Sequence, residues 1–227
     1  MVDFQMTRAA AHLGLQVVAV ALEDVNNKDY TPYLHALRKV KLAQAMAMYQ
    51  GCDLDSDPHI GGYRRLKESV ARSWKRFPVS VENLIGTLRR NGDIPLISPV
   101  VDIYNLMSLE RRISIGAHDI DRLEGGVRLD ITRGIEMFAP LGSEDQARAP
   151  VGEFAYLDAA DRVLCRMDCR QSRETCLQPS SRRILLIFQG HADMAAESVR
   201  AAANSCIDLI LTYCGGDCTQ RFECLHE

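Results

Sequence analysis

The chain has 227 residues, 47% of them hydrophobic, and a formal net charge of −3. This length and composition allow one large domain with a sizeable core, and they exclude a strongly basic protein that binds nucleic acid through charge alone. No apolar run approaches the roughly 20 residues that span a bilayer, and the N-terminus lacks a basic segment followed by a long apolar stretch. A cytoplasmic protein without membrane association is therefore expected.

The charge is unevenly distributed along the chain. Between Tyr30 and Arg90 there are 11 Lys/Arg residues against 5 Asp/Glu, whereas the remainder has 16 against 25. A polyanionic partner would prefer the first region. A pair of solvated helix faces explains the same bias equally well.

Eight cysteines are scattered along the chain, and none of their spacings is C-x-x-C. Without a secretory signal, disulfides are not expected. Cys214, Cys218, Cys224 and His226 are potential zinc ligands near the C-terminus, but their spacing fits no common zinc module. Reduced thiols and no bound metal or other cofactor are expected.

The first part of the chain predicts one buried strand followed by helices. The valine-rich run Gln16–Leu22 is short and apolar, which is typical of a buried strand. Proline at a helix start and glycine or proline at its end are the usual boundary signals. They predict three helices: Thr31 to about Gln50, Asp57 to the residue before Pro78, and Ser80 to Gly92.

The second of these helices is the most basic segment of the chain. Tyr63, Leu66, Val70 and Trp74 recur at three- or four-residue steps and are expected to face the core. The opposite face would be either a solvated surface or a contact for the phosphate backbone of RNA. The candidate RNA-binding residues are Arg64, Arg65, Lys67, Arg72, Lys75 and Arg76.

The character of the sequence changes after a further apolar helix at Val100–Leu109. Short β-rich runs separated by tight turns are typical of strands, and a closing helix is expected at Met194–Tyr213. The element order predicts an α/β (α+β) fold with a central mixed sheet flanked by helices and an N-terminal helical region. The expected strands are Val127–Thr132, Glu136–Phe138, Glu153–Leu157, Arg162–Arg166 and Ile184–Gln189.

The usual catalytic motifs are absent, including the P-loop, the G-x-S-x-G elbow and H-E-x-x-H. Polar residues in apolar surroundings indicate candidates instead. Asp102 and Asn105 lie three apart on the helix Val100–Leu109, where they could bind a ligand hydroxyl or amide, or Asp102 could cap the helix. His118 stands in a Gly-Ala-His-Asp segment that we interpret as a turn between two elements.

A second polar cluster falls between two predicted strands. Loops at strand ends often carry binding residues, although a solvated loop is the alternative. Arg170 and Ser172 could donate hydrogen bonds to a developing oxyanion, and Asp168 could orient a water molecule. The cluster comprises Asp168, Arg170, Gln171, Ser172 and Thr175.

These stretches resemble the B3/B4 domain of the phenylalanyl-tRNA synthetase β subunit over about Ile94 to Gly190. The features that match in order are Val101-Asp102, Asn105, Gly116–Asp119, Glu124–Gly126, Val127–Leu129, the loop with Ser172 and Thr175, and the run ILLIFQG. Free-standing proteins of this family resemble the chain over additional segments, which extend the resemblance to nearly its whole length. These segments are Pro58–Leu66, Val79–Leu109 and Arg170–Ser172. The resemblance implies one B3/B4-like domain: a strand and basic helical region at 1–93, a core at 94–215 and a tail at 216–227.

The resemblance also implies a pocket that cleaves the ester of an amino acid wrongly attached to tRNA. Asn105 matches the pocket asparagine, and Tyr104 replaces a pocket threonine. The family's histidine falls at Gly116, and its glutamate at about Arg170. The expected partners are the charged 3′ end of tRNA and its amino-acid moiety, with no DNA. The implied catalytic residues are Asn105, Asp168, Arg170 and Ser172, and the implied substrate-binding residues are Asp102, Tyr104, Gly116, His118, Gly125, Gly126, Gln171 and Thr175.

Two alternatives stay open at the level of sequence. One is a non-catalytic module that binds tRNA or a free amino acid, which the missing histidine and glutamate favour. The other is a small-molecule enzyme that has reused the pocket. RNA binding by the basic segment would distinguish the tRNA-dependent functions from this last one.

Overall fold

The computed structural model of the chain describes residues 1–225. Within them the mixed α/β fold expected from the sequence is confirmed. The α-helices are α1 Arg8–Ala11, α2 Pro32–Tyr49, α3 Pro58–Ser69, α4 Ser80–Asn91, α5 Pro99–Arg111 and α6 Ala196–Cys214. The strands are β1 Phe4–Met6, β2 Gln16–Glu23, β3 Ser114–Asp119, β4 Val127–Ile131, β5 Met137–Phe138, β6 Ala147–Arg148, β7 Phe154–Leu157, β8 Val163–Arg166, β9 Arg170–Gln171, β10 Ile184–Gly190 and β11 Asp217–Cys224.

The strands form two main sheets and one small hairpin. The first sheet has the order β1-β4-β7-β8-β9 and is mixed, because β1 runs parallel to β4 while the other neighbours are antiparallel. The second sheet, β11-β2-β10-β3, is antiparallel throughout. Strands β5 and β6 pair with each other outside both sheets.

The second sheet is the middle layer of the molecule, and this explains the uninterrupted apolar run of β2. Val18, Val20 and Leu22 pack with the helices α5 and α6, whereas Val17 and Ala19 face the first sheet. Successive side chains of a strand point to opposite faces. A strand covered on both faces must therefore be apolar at every position.

Local signals fix the ends of several helices. The Thr31 side chain accepts a hydrogen bond from the backbone N–H of Leu34 at the start of α2, which satisfies one free donor of the first turn. Gly92 ends α4 in the left-handed conformation with φ 72°, a conformation that costs glycine little. Both helix boundaries were predicted from the sequence.

Helix α3 ends eight residues earlier than the sequence predicts, at Ser69 rather than just before Pro78. Ala71 adopts a left-handed conformation with φ 53°. The N–H of Arg72 then bonds the carbonyl of Lys67, and that of Ala71 bonds the carbonyl of Glu68. This is a Schellman motif with alanine in place of the usual glycine, so the sequence carries no stop signal there.

Two other segments differ from their predicted structure. The segment containing His118, interpreted as a turn, is strand β3 and pairs with β10. The expected C-terminal tail contains β11, which pairs with the outer edge of β2. In both cases the backbone N–H and C=O groups along the free edges of the apolar strands β2 and β10 need hydrogen-bonding partners. Segments without a clear strand pattern in the sequence supply them, β3 to β10 and β11 to β2. No helix in the part of the chain that the structure describes is long and apolar enough to span a membrane.

Candidate functional site

A cavity of about 350 Å³ lies where the helices meet the edges of both main sheets. Its volume falls within the usual range for small-molecule sites. Helices α4 and α5 form one wall, here called the helical wall. The other, the sheet wall, is lined by residues Ser114, Ile115, Gly116, His118, Tyr156, Cys165, Asp168, Ile187 and Gln189.

The helical wall presents polar groups that no protein atom satisfies. Val101, Tyr104 and Asn105 line the cavity from one face of α5, at the spacing of a helical turn. Tyr104 is only 7% exposed, and burial raises the pKa of its phenol. Neither its hydroxyl nor the Asn105 amide has a hydrogen-bond partner within residues 1–225. Both groups reach the open space of the cavity, so both are available to a ligand.

The sheet wall is organised by a buried chain of polar contacts. Lys67 of α3 is 1% exposed and forms an ion pair with Asp168. The Gln189 amide nitrogen donates to Asp168 Oδ2 at 2.7 Å, and the Tyr156 hydroxyl donates to Gln189 Oε1 at 2.6 Å. The wall is therefore held in one arrangement by side chains from α3, β7, β10 and the turn after β8.

Asp168 is the only carboxylate among the described residues that line the cavity. Burial raises its pKa, while the Lys67 ammonium and the Gln189 amide oppose that rise. The residue lies in the left-handed backbone region with φ 50°, where aspartate is tolerated better than most side chains. Each carboxylate oxygen already accepts one bond and retains further acceptor capacity.

His118 lines the cavity in its neutral form. Its Nδ1 lies 3.0 Å from the Thr175 hydroxyl, and burial lowers the pKa of the imidazole to about 4. Its Nε2 has no partner among the described residues. Gly116 stands two residues earlier on the same face of β3, and a side chain there would meet open space. His118 therefore supplies the imidazole on this face of β3, and Gly116 leaves space beside it.

Two thiols on the sheet wall are poor nucleophiles. Burial raises the pKa of Cys165 well above its ordinary value and that of Cys169 to about 11. Both thiols are protonated at neutral pH, and the thiolate is the reactive form. The cavity therefore offers hydrogen-bonding groups and a carboxylate rather than a reactive sulfur.

Arg170 and Gln171 form the rim of the cavity on β9. Arg170 is exposed, and its guanidinium has no ion-pair or hydrogen-bond partner within the described range. The Gln171 amide nitrogen donates to the Ala117 carbonyl at 2.6 Å, which leaves its amide oxygen open. A second, more open cavity begins at these two residues and continues along the surface.

Several residues predicted for the site lie outside the cavity. Asp102 is fully buried on the far side of α5, where it accepts hydrogen bonds from Tyr30 and the backbone of Ile97. The hydroxyl of Ser172, also buried, accepts from the Glu174 N–H at 3.2 Å. Thr175 stands behind His118 and contacts it without lining the cavity.

Gly125 and Gly126, both expected to bind substrate, form the turn before β4. A Cβ atom on Gly126 would lie 3.1 Å from the backbone oxygen of Asp3. Glycine at this position allows the close approach of the chain before β1, whose Asp3 carbonyl accepts from the N–H of Val127.

The predicted RNA-binding face of α3 does not exist as one surface. Lys67 is buried, because it follows Tyr63 by one helical turn and shares its inward face. Arg64 forms ion pairs with Asp55 and Glu82. Arg65 pairs with Asp193, and Arg72 pairs with Glu153. Lys75 and Arg76, which follow the end of α3, have no carboxylate partner within residues 1–225.

The sequence did not identify several polar residues of the sheet wall and its support, among them Lys67, Gln189, Tyr156 and Cys165. Lys67 was assigned to the wrong face, although its spacing from Tyr63 was a visible signal. Gln189 ends an otherwise apolar strand, which is a second signal. Tyr156 and Cys165 lie within apolar strands and are indistinguishable from core residues in sequence. Their role depends on which strands the fold brings together.

No group of three or more potential metal-binding side chains occurs in the described part of the chain. Cys214 is buried at the end of α6, and Cys218 and Cys224 lie on β11. His226, the fourth residue of the tentative C-terminal zinc set, lies outside the described residues.

The protein is a mixed α/β domain whose cavity has one wall of hydrogen-bonded polar groups and one wall of open polar groups. The chain belongs to the B3/4 domain family, whose model matches residues 62–215. No curated protein sequence matches it significantly. A solved structure with a similar fold is an N-terminal fragment of the phenylalanyl-tRNA synthetase beta-subunit from Pyrococcus horikoshii, at a TM-score of 0.53 and 14% identity. The match covers 98% of this chain and 54% of that fragment, so this chain spans about half its length.

Proposed function

We propose that the protein binds the charged 3′ end of a tRNA in the cytoplasm and hydrolyses the ester of a wrongly attached amino acid. The observation that carries this proposal is the helical wall. A family member retains a cavity of suitable size in which a buried hydroxyl, Tyr104, and an amide, Asn105, have no protein partner. Both groups open to the cavity, where a bound ligand can hydrogen-bond them in place of water.

The chemistry needs little from the protein, because an aminoacyl ester is already activated. The Asn105 amide and the Arg170 guanidinium can donate to the oxygen that becomes negative as water attacks. Asp168, with its pKa raised by burial, can orient the attacking water and take part of its proton. His118 is neutral at pH 7, so its Nε2 can donate or accept within the same cavity.

The lining favours an amino acid with an uncharged side chain. Ile97, Val101, Ile115 and Ile187 supply apolar surface. The one carboxylate of the cavity is compensated by Lys67 behind it. A charged side chain would enter without a dedicated counter-ion, whereas a hydroxyl or amide could bond the helical wall.

The second candidate function is a binding module without hydrolysis. It is favoured by the resemblance, which implies that Gly116 and about Arg170 stand where the family has a histidine and a glutamate. Gly116 contributes no side chain, and Arg170 cannot act as a base. In this version the same cavity would hold the aminoacyl group without cleaving it.

The test is deacylation of a panel of correctly and wrongly charged tRNAs by the purified protein. We expect selective release of one amino acid and its loss in Asn105→Ala. Asn91→Ala is the matched control, because Asn91 is exposed at the end of α4 and outside the cavity. Binding of charged tRNA without release would contradict hydrolysis and support the second function. Equal loss in both variants would remove Asn105 from the site.

A further inference from the structure

A second cavity of about 620 Å³, here called the rim groove, adjoins the first and shares Asn83, Cys169, Arg170 and Gln171 with it. One side is the segment that follows α3, and the other is the turn after β5. Its remaining lining residues are Lys75, Arg76, Phe77, Pro78, Pro140 and Leu141. The groove is therefore an extension of the ligand cavity along the surface.

The rim groove concentrates positive charge that the rest of the basic region lacks. Lys75, Arg76 and Arg170 line it, and none has a carboxylate partner in the described chain. By contrast, most cations that made the segment Tyr30–Arg90 basic are bound to carboxylates of the protein itself. An anion would therefore be attracted to this groove in preference to the surface of α3.

The cationic side of the groove is fixed in place before any ligand binds. Arg72 pairs with the buried carboxylate of Glu153. The Arg64 guanidinium lies 3.9 Å from the centre of the Trp74 ring, and that of Arg166 lies 5.0 Å from the Phe77 ring. Such contacts reduce the ordering cost of binding. Lys75 and Arg76 are exposed, and their charged groups lie 5.5 Å and 5.6 Å from the centres of the Trp74 and Phe77 rings respectively.

The opposite side of the groove is apolar. Leu141 is 57% exposed, and its N–H donates to the Gln171 carbonyl at 2.8 Å, which ties this turn to β9. Pro140 lies beside it. An exposed apolar surface opposite a row of cations suits a nucleotide, because the base or ribose covers the apolar side while the phosphate meets the cations.

We propose that the rim groove binds the phosphodiester backbone of single-stranded RNA immediately before the nucleoside whose ester occupies the cavity. This inference rests on the proposed function and extends it. Because three cations without a carboxylate partner in the described chain line the groove, the protein's main contact with RNA is with its single-stranded end.

The test measures the affinity of the protein for a short, uncharged, single-stranded RNA ending in cytidine-cytidine-adenosine, across a range of salt concentrations. The variant is Lys75→Ala/Arg76→Ala/Arg170→Ala. The charge-matched control is Arg8→Ala/Lys28→Ala/Lys39→Ala, since these three cations are exposed, unpaired among residues 1–225 and outside both cavities. Circular dichroism checks that both variants are folded.

We expect the groove variant to bind the RNA at least tenfold more weakly and the control to bind like the wild type. The slope of log affinity against log salt should flatten by about 0.7 for each lost phosphate contact, or about 2 for all three. Full-length uncharged tRNA should bind no more than about tenfold more tightly than the short RNA, a gap of about 1.4 kcal/mol.

Three results would overturn the inference. They are equal weakening in the control, displacement of the RNA by inorganic phosphate at the same concentration, and a much higher affinity for full-length tRNA. Because the probe carries no amino acid, its binding is independent of hydrolysis. Deacylation is compared in Lys75→Ala/Arg76→Ala, because these two residues line only the groove, whereas Arg170 also lines the cavity. Full deacylation by this double variant would leave the proposed function intact while removing the groove.

Discussion

The two walls of the cavity differ in how their polar groups are satisfied. On the sheet wall, Asp168, Gln189 and Tyr156 bond one another and the buried Lys67. On the helical wall, Tyr104 and Asn105 have no partner within residues 1–225. The contrast teaches that one wall is a frame, whose changes should alter stability, and the other is a receptor, whose changes should alter ligand binding.

The largest effect on stability is expected where the frame contains charge. Lys67→Met leaves Asp168 as an uncompensated buried carboxylate, which should lower the free energy of unfolding by about 3–5 kcal/mol. Adding Asp168→Asn should recover most of this loss. Urea denaturation of both variants measures the effect. Arg65→Met is the control on the same helix, and its exposed ion pair should contribute less than about 1 kcal/mol. A single variant as stable as wild type would contradict the buried pair.

The second effect is a dependence of stability on pH that comes from His118. Its folded pKa of about 4 lies below the ordinary value of 6.5, so the unfolded chain binds the proton more readily. Stability is full above pH 6.5 and falls as the pH drops toward 4, by about 3 kcal/mol. His118→Gln should keep the contact with Thr175 and flatten the unfolding free energy in this window. An unchanged pH profile in the variant would show that another group titrates.

The sharpest comparison is one chemical change made on both walls. Tyr156→Phe removes the donor to Gln189 Oε1 and should cost about 1–2 kcal/mol of unfolding free energy. Tyr104→Phe removes a hydroxyl without a protein partner and should change stability by less than about 0.5 kcal/mol. Thermal unfolding of both variants, beside the exposed control Tyr33→Phe, measures the difference. Equal losses at both tyrosines would end the distinction between frame and receptor.

The smallest stability effect, and the largest functional one, is expected at Asn105. Asn105→Ala should unfold within about 0.5 kcal/mol of the wild type. It should nevertheless lower the rate of aminoacyl-tRNA hydrolysis by at least about a hundredfold, the usual effect of removing one oxyanion donor. Single-turnover deacylation with saturating protein separates this loss from weaker binding. A variant that folds and retains its full rate would exclude Asn105 from the reaction.

The sequence predicted those features of the fold whose causes are local. Thr31-Pro32 and Gly92 set helix boundaries through capping and backbone freedom, and both were correct. The end of α3 was missed because its left-handed residue is Ala71, and alanine gives no such signal. The conformation is supported from outside the helix, by the ion pair of Arg72 with Glu153. Tertiary contacts of this kind are invisible to periodicity.

The residues of the cavity were predictable from the sequence only in part. Asn105, Asp168 and Arg170 were found through polar interruptions and the family resemblance, and all three line the cavity. Asp102 and Ser172 satisfied the same sequence criteria, but neither lines the cavity: Asp102 accepts from Tyr30 and the Ile97 N–H, and Ser172 accepts from the Glu174 N–H. The sequence identifies polar residues that stand in apolar surroundings. Only the packing of strands against helices decides which of them reach one space.

The measurement that tests the account most directly is a crystal structure with a non-hydrolysable aminoacyl-adenosine, in which an amide replaces the ester. The account predicts the amino-acid moiety in the cavity, with hydrogen bonds to Tyr104 and Asn105, an unchanged sheet wall, and the adenosine at the rim beside Arg170. A ligand held outside the cavity, or one that bonds only the sheet wall, would contradict it.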